Sequence, residues 1–368
     1  MSYTEEAYSK AVEVLKRCAT PYGFFAAYPG YDAVWARDSM IISLGASLVK
    51  VPSFKETFAK SLITLAQHQS RLGQIPNAVD IFSKRKSHVD YASIDSTLWY
   101  IIGHYTYKKR YHDSSLFRRY RSSIQKALLW LSYQDVGEEG TLEQLPTTDW
   151  QDAFPHKYGR TINTQALYYR VLLLTGKDRE AVILKNIINK DKGKGLWGGD
   201  FYLAWRWKNH QTYREQGEWF DSLGNILAMV FDLADKKQTI KILSYIRRMK
   251  IDLPYPVKAI YPPIRRGSKY WEDYFENCDA RKPFHYLNGG IWPYIGGFYV
   301  LALVKDKRMK EARGQLEKLA EANTLLNRNF SEWLDGKTGR PCQGGNQGWN
   351  AGMYILAYHS VMENFCLL

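Results

Sequence analysis

Residues 289–304 read GGIWPYIGGFYVLALV. From Tyr294 to Val304 no charged side chain interrupts the run, so a helix over Gly290–Val304 has no polar face and must be covered on every side. The segment after it is of the opposite kind. Met309–Asn323, MKEARGQLEKLAEAN, carries a single apolar stripe among charges, which suits a helix that covers a neighbour and meets water. Both kinds recur along the chain. The amphipathic stretches YSKAVEVLKRC, FKETFAKSLITLAQ and KKQTIKILSYIRRMK alternate with SMIISLGASLV, LGNILAMVFDLA and WNAGMYILAYHSV, which are apolar nearly all round and rich in small residues.

Periodicity predicts twelve helices: Tyr3–Cys18, Asp38–Val49, Ser53–His68, Asp95–Lys109, Ser115–Tyr133, Ile162–Thr175, Asp178–Asn189, Asp221–Leu233, Lys237–Met249, Gly290–Val304, Met309–Asn323 and Gln347–Met362. Odd-numbered ones cover and even-numbered ones are buried. Six of each is what a closed ring of helical hairpins needs, so the expected fold is all-α, an (α/α)6 barrel. An open superhelix would show a recurring period, and none is present. With no linker dividing the chain, residues 1–368 read as one domain. Gly193–Trp207 and Asp252–Phe284 read as long irregular insertions with room for short strands, and loops of that length tend to be functional.

Composition narrows the function. The 368 residues carry a net charge of +14, yet the basic side chains are scattered over outward helices such as KKRYHDSSLFRRYRSS (Lys108–Ser123). That distribution serves solubility, and neither a nucleic-acid partner nor a membrane is expected. Aromatic residues make up 15%, with 12 Trp and 27 Tyr. Such rings carry polar handles that need partners, which a sugar cleft supplies. The four cysteines, Cys18, Cys278, Cys342 and Cys366, have no metal-ligand spacing, so neither metal nor cofactor is expected. An N-terminus without an apolar signal core, and the absence of a long apolar run, point to a cytoplasmic protein.

The loops before the six buried helices share a character. YPGYDAVWARD ends in Trp35, Arg37 and Asp38; DYASIDSTLWY brings Asp95; TTDWQDAF brings Trp150 and Asp152; QGEWFDSLGN brings Trp219 and Asp221. FHYLNGGIWP then supplies Asn288 and Trp292, and FSEWLDGKTGRPCQGGNQGWN supplies Glu332, Trp333, Gln347 and Trp349. Capping explains an Asp at a helix start, each cap contributing about 1 kcal/mol. It does not explain tryptophans converging on one rim. A phosphate cradle is missing, since GGNQG lacks the Walker lysine and serine, and so are nucleophile elbows and HExxH.

In a ring of six, the third and sixth buried helices face each other. Asp152 precedes one and Glu332 the other, an arrangement suited to an inverting glycosidase, whose acid and base stand roughly 6.5–9.5 Å apart. The aromatic surroundings of Asp152 predict a raised pKa and a retained proton. Glu332, among Ser331, Asp335, Lys337 and Thr338, is expected in a wetter place that favours ionisation. Asp149 is the alternative acid and Asp335 the alternative base.

The stretches VWARDSM, DSTLWYIIGHY, QALYYRVLL, FDSLGNILAMVFDLA, NGGIWP and EWLDGKTGR make the chain resemble the (α/α)6 glycoside hydrolases, most of all the neutral/alkaline invertases. It is also similar to amylo-1,6-glucosidases and glucoamylases. The resemblance implies a general acid thirteen residues before Gln165, which is Asp152, and a base in an E-x-x-D-x-x-x-G pattern, which Glu332 fits. It implies that Trp35, Arg37 and Asp38 clamp a glucosyl unit, with Asp95 and Asn288 as further subsite positions. AFPHKYGR stands where invertases carry DRRMGIYG, so the expected substrate is an α-glucoside, sucrose first and a small α-glucan second. A non-catalytic sugar-binding protein of the same fold is the alternative of another class.

Overall fold

The computed structural model describes residues 2–82, 88–190, 195–327 and 330–368. Its α-helices are, in chain order, α1 (Tyr3–Cys18), α2 (Ala36–Ala46), α3 (Pro52–Gln67), α4 (Asp95–Tyr111), α5 (Ser115–Arg119) and α6 (Arg121–Ser132). They continue with α7 (Ile162–Leu174), α8 (Asp178–Ile188), α9 (Ser222–Val230), α10 (Lys236–Arg248), α11 (Pro293–Lys305), α12 (Met309–Thr324) and α13 (Gly348–Glu363). The expected helices are present with small shifts at their ends; the segment Ser115–Tyr133 is interrupted at Tyr120 and becomes α5 and α6.

The two kinds of helix separate as their side chains require. Every residue of α2 and of α9 is buried, and α11 is buried from Pro293 to Val304. In α10 only Gln238, Ile242, Leu243 and Ile246 are buried, and in α1 only Ala7, Ala11, Val14, Leu15 and Cys18. The buried helices pack in cyclic order: α2 on α4, α4 on α7, α7 on α9, α9 on α11, α11 on α13, and α13 back on α2. Small residues permit the close crossings. Gly45 and Gly352 meet where α2 crosses α13, and a Cβ on Gly45 would come within 1.9 Å of the Gly352 carbonyl oxygen.

The strands are short except in the first insertion. β1 (Ala19–Thr20) pairs with β2 (Gly23–Phe24), and β3 (Val34–Trp35), β4 (Ala78–Val79) and β5 (Val89–Asp90) form a second sheet. The third sheet runs β6 (Arg160–Thr161), β7 (Leu203–His210), β8 (Tyr213–Asp221) and β9 (Ile260–Tyr261), antiparallel throughout. The insertion at Gly193–Trp207 is thus the first arm of a hairpin, although its residues 193 and 194 lie outside the described residues. Sequence periodicity missed the second arm. Register shifts near Leu203/Trp205 and Arg206/Lys208 break the alternation, and the outer half of the hairpin is exposed on both faces. β6 runs straight into α7 and β8 straight into α9, so the sheet stands at the N-terminal end of the inner ring.

Candidate active site

The inner helices begin at one rim, and their entrances converge there. β3 delivers Trp35 directly into α2, with the Ala36 N–H bonded to the Asn77 carbonyl at 2.9 Å. One cavity of about 420 Å³ opens at this rim, lined by Trp35, Arg37, Asp38, Trp150, Asp152, Trp292, Glu332, Gln347 and Trp349, together with Ala26, Tyr31 and Tyr286. Asp152 and Glu332, far apart in the chain, therefore share a cavity. Its walls are ring edges and faces: Trp292 meets Trp150 at 5.5 Å and 78° and Trp349 at 5.7 Å and 85°, while Trp349 stacks on Tyr294 at 4.2 Å and 11°. The Arg37 guanidinium lies 5.7 Å over Trp349. Among the described residues, the indole N–H groups of Trp150 and Trp349 and the Nε–H of Arg37 are buried without an acceptor, donors of the kind a sugar hydroxyl satisfies.

Of the other expected site residues, Asp95 stands just behind the lining. Its carboxylate is 3.5 Å from the Arg37 guanidinium, which is also 3.3 Å from Asp38, and it accepts a short hydrogen bond from Ser93. The capping explanation holds for Asp221 alone, which accepts from the Gly224 N–H at 3.0 Å; no side-chain cap bond starts α2 or α4. Gln165, Asn288 and Trp219 are not in the cavity lining. Gln165 clasps the Leu142 backbone, donating at 2.6 Å and accepting at 3.2 Å. Asn288 braces the second insertion, accepting from the Ile264 N–H at 2.7 Å and donating to the Ile264 and Ala280 carbonyls at 2.8 and 2.9 Å. Trp219 packs edge-on against Tyr270, at 4.9 Å. Trp333 stands behind the lining, against His285 and Tyr286.

Sequence reasoning passed over Tyr31, Tyr286 and Lys157. Tyr31 lies in the quoted YPGYDAVWARD, but only the tertiary structure shows its hydroxyl donating to both Glu332 oxygens, at 3.3 and 3.4 Å. Lys157 is wholly buried and lies 2.9 Å from Asp149 and 2.9 Å from Asp221. Burial works against its charge, but the two carboxylates outweigh that and raise its pKa. Asp149 also accepts from the Gln151 N–H at 2.9 Å and from Gln144 at 3.2 Å; it is 1% exposed and does not reach the cavity. These contacts anchor the loop that carries Asp152. Lys157→Met should lower unfolding stability by about 3–5 kcal/mol, because two buried carboxylates lose their counter-charge. Denaturant unfolding measures the loss.

The electrostatics correct one expectation. Burial raises the pKa of Asp152 as expected, but it raises that of Glu332 too, which was expected in a wetter place. Glu332 is 5% exposed, and Asp152, though solvent reaches it at the cavity mouth, has its carboxyl desolvated by the surrounding protein. The sequence neighbours expected to hydrate Glu332 point elsewhere: Asp335 turns back to accept from Lys337 and Thr338 and lies 3.1 Å from His285. Burial pushes Glu332 up to about 7; the Tyr31 hydrogen bond draws it down and the Asp38 and Asp152 charges push it up again. Asp152 is also raised, by the protein crowded round it, with Arg37 opposing and Asp149 and Asp95 adding to the rise. Asp38 is raised to about 6 by burial, against the pull of Arg37. Tyr31→Phe removes a donor to the ionised form, so the Glu332 pKa should rise. The ascending limb of kcat/KM should then move to higher pH, which a pH–rate profile reads directly.

Known proteins resemble this chain in parts of its sequence and in its fold. Residues 202–364 match the family model of alkaline and neutral invertase, and residues 9–134 match that of amylo-alpha-1,6-glucosidase. Probable alkaline/neutral invertase F of Arabidopsis thaliana is 33% identical over 155 residues, 40% of this chain and 30% of the relative. Cytosolic invertase 1 of Oryza sativa subsp. japonica is 32% identical over 145 residues, 39% of this chain and 24% of the relative. These matches span about a quarter to a third of the relatives' length. The GH63 mannosylglycerate hydrolase of Thermus thermophilus, solved with Tris and D-glycerate, superposes with a TM-score of 0.69 at 15% identity, covering 95% of this chain and 99% of that one. A glycosidase in complex with glucose gives 0.70 at 13% identity, covering 99% and 98%. In fold the chain is thus similar to solved glycosidases. In sequence it is similar to the alkaline and neutral invertases over residues 202–364, with an amylo-alpha-1,6-glucosidase likeness in its N-terminal third.

Proposed function

We propose that the chain is an inverting hydrolase of an α-glucosidic bond, built as one (α/α)6 barrel domain over residues 1–368. The observation that carries the reading is the shared cavity of Asp152 and Glu332, walled by tryptophans and floored by the Arg37–Asp38 pair. The cyclic packing of the inner helices and the single hydrophobic cluster that takes in all six support the barrel. Arg37, Asp38, Trp35 and Trp349 hold the glucosyl unit, with Asp95 fixing Arg37 from behind. Asp152, at the mouth, protonates the bridging oxygen, and Glu332, buried deeper, takes a proton from the attacking water.

The protonation pattern follows from proximity. Two carboxyls in one poorly hydrated cavity resist ionising together, so the pair carries a single proton over a range of pH. Ionised Glu332, with Asp149 and Asp95 behind, keeps that proton on Asp152. Among substrates sucrose stands first, by the invertase kinship; a small α-glucan stands second, by the amylo-alpha-1,6-glucosidase match over residues 9–134. A cytoplasmic setting belongs to the same reading and is supported by the free thiols of Cys18, Cys278 and Cys366 among the described residues. The test is incubation with sucrose, maltose, isomaltose, trehalose and a branched dextrin, following the anomer first released by NMR. Release of β-glucose supports inversion; α-glucose overturns it; no cleavage of any of them leaves a sugar-binding protein.

A further inference from the structure

A glycosidase's acid stands at the bond to the leaving group, so the surface past Asp152 is where a leaving group continues. That surface is made by the two insertions. Residues 152–158 run from the first cavity to a second one of about 720 Å³, walled by His156, Tyr158, Trp205 and Tyr270. His156 is four residues from Asp152, so their Cα atoms are at most about 14 Å apart. Tyr270 also walls a third cavity of about 730 Å³, with Trp219 and Ile264. Ile264 is pinned by both polar ends of Asn288, two residues along from Tyr286 in the first cavity. Both outer cavities are thus tied through a few residues to the first one's walls, and Tyr270 lines both of them.

Their chemistry suits carbohydrate. Tyr158 lies against Trp205 at 4.4 Å, and Trp219 meets Tyr270 at 4.9 Å. The indole N–H groups of Trp205 and Trp219 are buried without an acceptor among the described residues. Glu215 and Glu272 provide acceptors beside the rings, and Lys269, whose ammonium lies 4.7 Å over Tyr270, provides a donor. Mixed charge excludes a dedicated phosphate cradle, while ring surface bordered by donors and acceptors matches the apolar faces and hydroxyl rim of a sugar.

We propose that the β7–β8 hairpin and the insertion at residues 252–284 form a leaving-group platform centred on Tyr270, and that the substrate is an α-linked oligosaccharide whose leaving group extends beyond one sugar. This inference rests on the glycoside hydrolase reading above. It also accounts for Trp219, which lines the third cavity rather than the first.

The experiment compares kcat/KM for maltose and for linear maltooligosaccharides of increasing length, in the wild type, Tyr270→Ala and Lys269→Ala. Tyr133→Ala, on the exposed outer surface, serves as a control, and melting curves confirm folding. A gain of about tenfold with chain length, lost in Tyr270→Ala, is expected; tenfold corresponds to about 1.4 kcal/mol. Lys269→Ala should reduce the gain in part and Tyr133→Ala should keep it. Length-independent kcat/KM, or a preference undiminished in Tyr270→Ala, overturns the platform while leaving the hydrolase reading intact. Absence of hydrolysis of these sugars and of sucrose alike overturns the hydrolase reading instead. Binding of maltopentaose by calorimetry then decides the platform, which stands if Tyr270→Ala weakens binding at least fivefold and falls if it does not.

Discussion

Glu332→Gln is expected to lower kcat by about a hundred- to ten-thousandfold, the usual contribution of a positioned general base, with sugar affinity little changed. Glutamine keeps the volume and one acceptor for Tyr31 but cannot take the proton of water. Stability should move the other way. Glu332 is raised from an ordinary 4.5 to about 7 in the folded protein, so its contribution is fully present below about 4.5 and is lost as pH rises through about 7. At pH 8 the variant, which has no charge to bury, should be more stable by on the order of 2–3 kcal/mol. At pH 4 the two should melt together. Loss of turnover without this alkaline gain would mean that Glu332 is not the dry group the structure makes it. Undiminished turnover would remove it from the base role. In the wild type kcat/KM should climb through pH of about 7 as Glu332 ionises.

Asp152→Asn should reduce kcat for ordinary glucosides by about a hundred- to ten-thousandfold, with a loss that depends on the leaving group. A sugar alkoxide leaves badly unless its oxygen is protonated, whereas glucosyl fluoride carries a leaving group that needs little help. The variant should therefore recover most of its rate on α-glucosyl fluoride, while Glu332→Gln should not. An equal loss on both substrates would show that Asp152 binds rather than donates. The descending limb of the pH profile should also vanish in Asp152→Asn, since that limb reports loss of its proton.

Much of this architecture was legible in the chain. GGIWPYIGGFYVLALV and MKEARGQLEKLAEAN announce a buried and a covering helix because burial on a helix repeats every few residues, a local property. Asp152 and Glu332 could be chosen because opposite positions in a ring follow from counting helices. The β8 strand was not legible, since its bulged pairing with β7 blurs the alternation on which strand reading depends. Gln165 and Asn288 were expected at the sugar, but their amides are taken up by backbone groups of residues 142, 264 and 280. Nothing in a sequence tells which polar partner a buried amide will find.

The order of all-apolar and amphipathic segments by itself determined the helices, their alternation and the rim on which aromatic rings and acids gather. Tertiary structure alone decided that Glu332 is dry as well as Asp152. Tyr31 from one segment and Tyr286 and Trp292 from another line the cavity with Glu332, and Lys157 holds Asp149 and Asp221 outside its lining. Helix formation is governed by near neighbours along the chain, whereas desolvation and counter-charge depend on every atom within a few ångströms, whatever its place in the sequence.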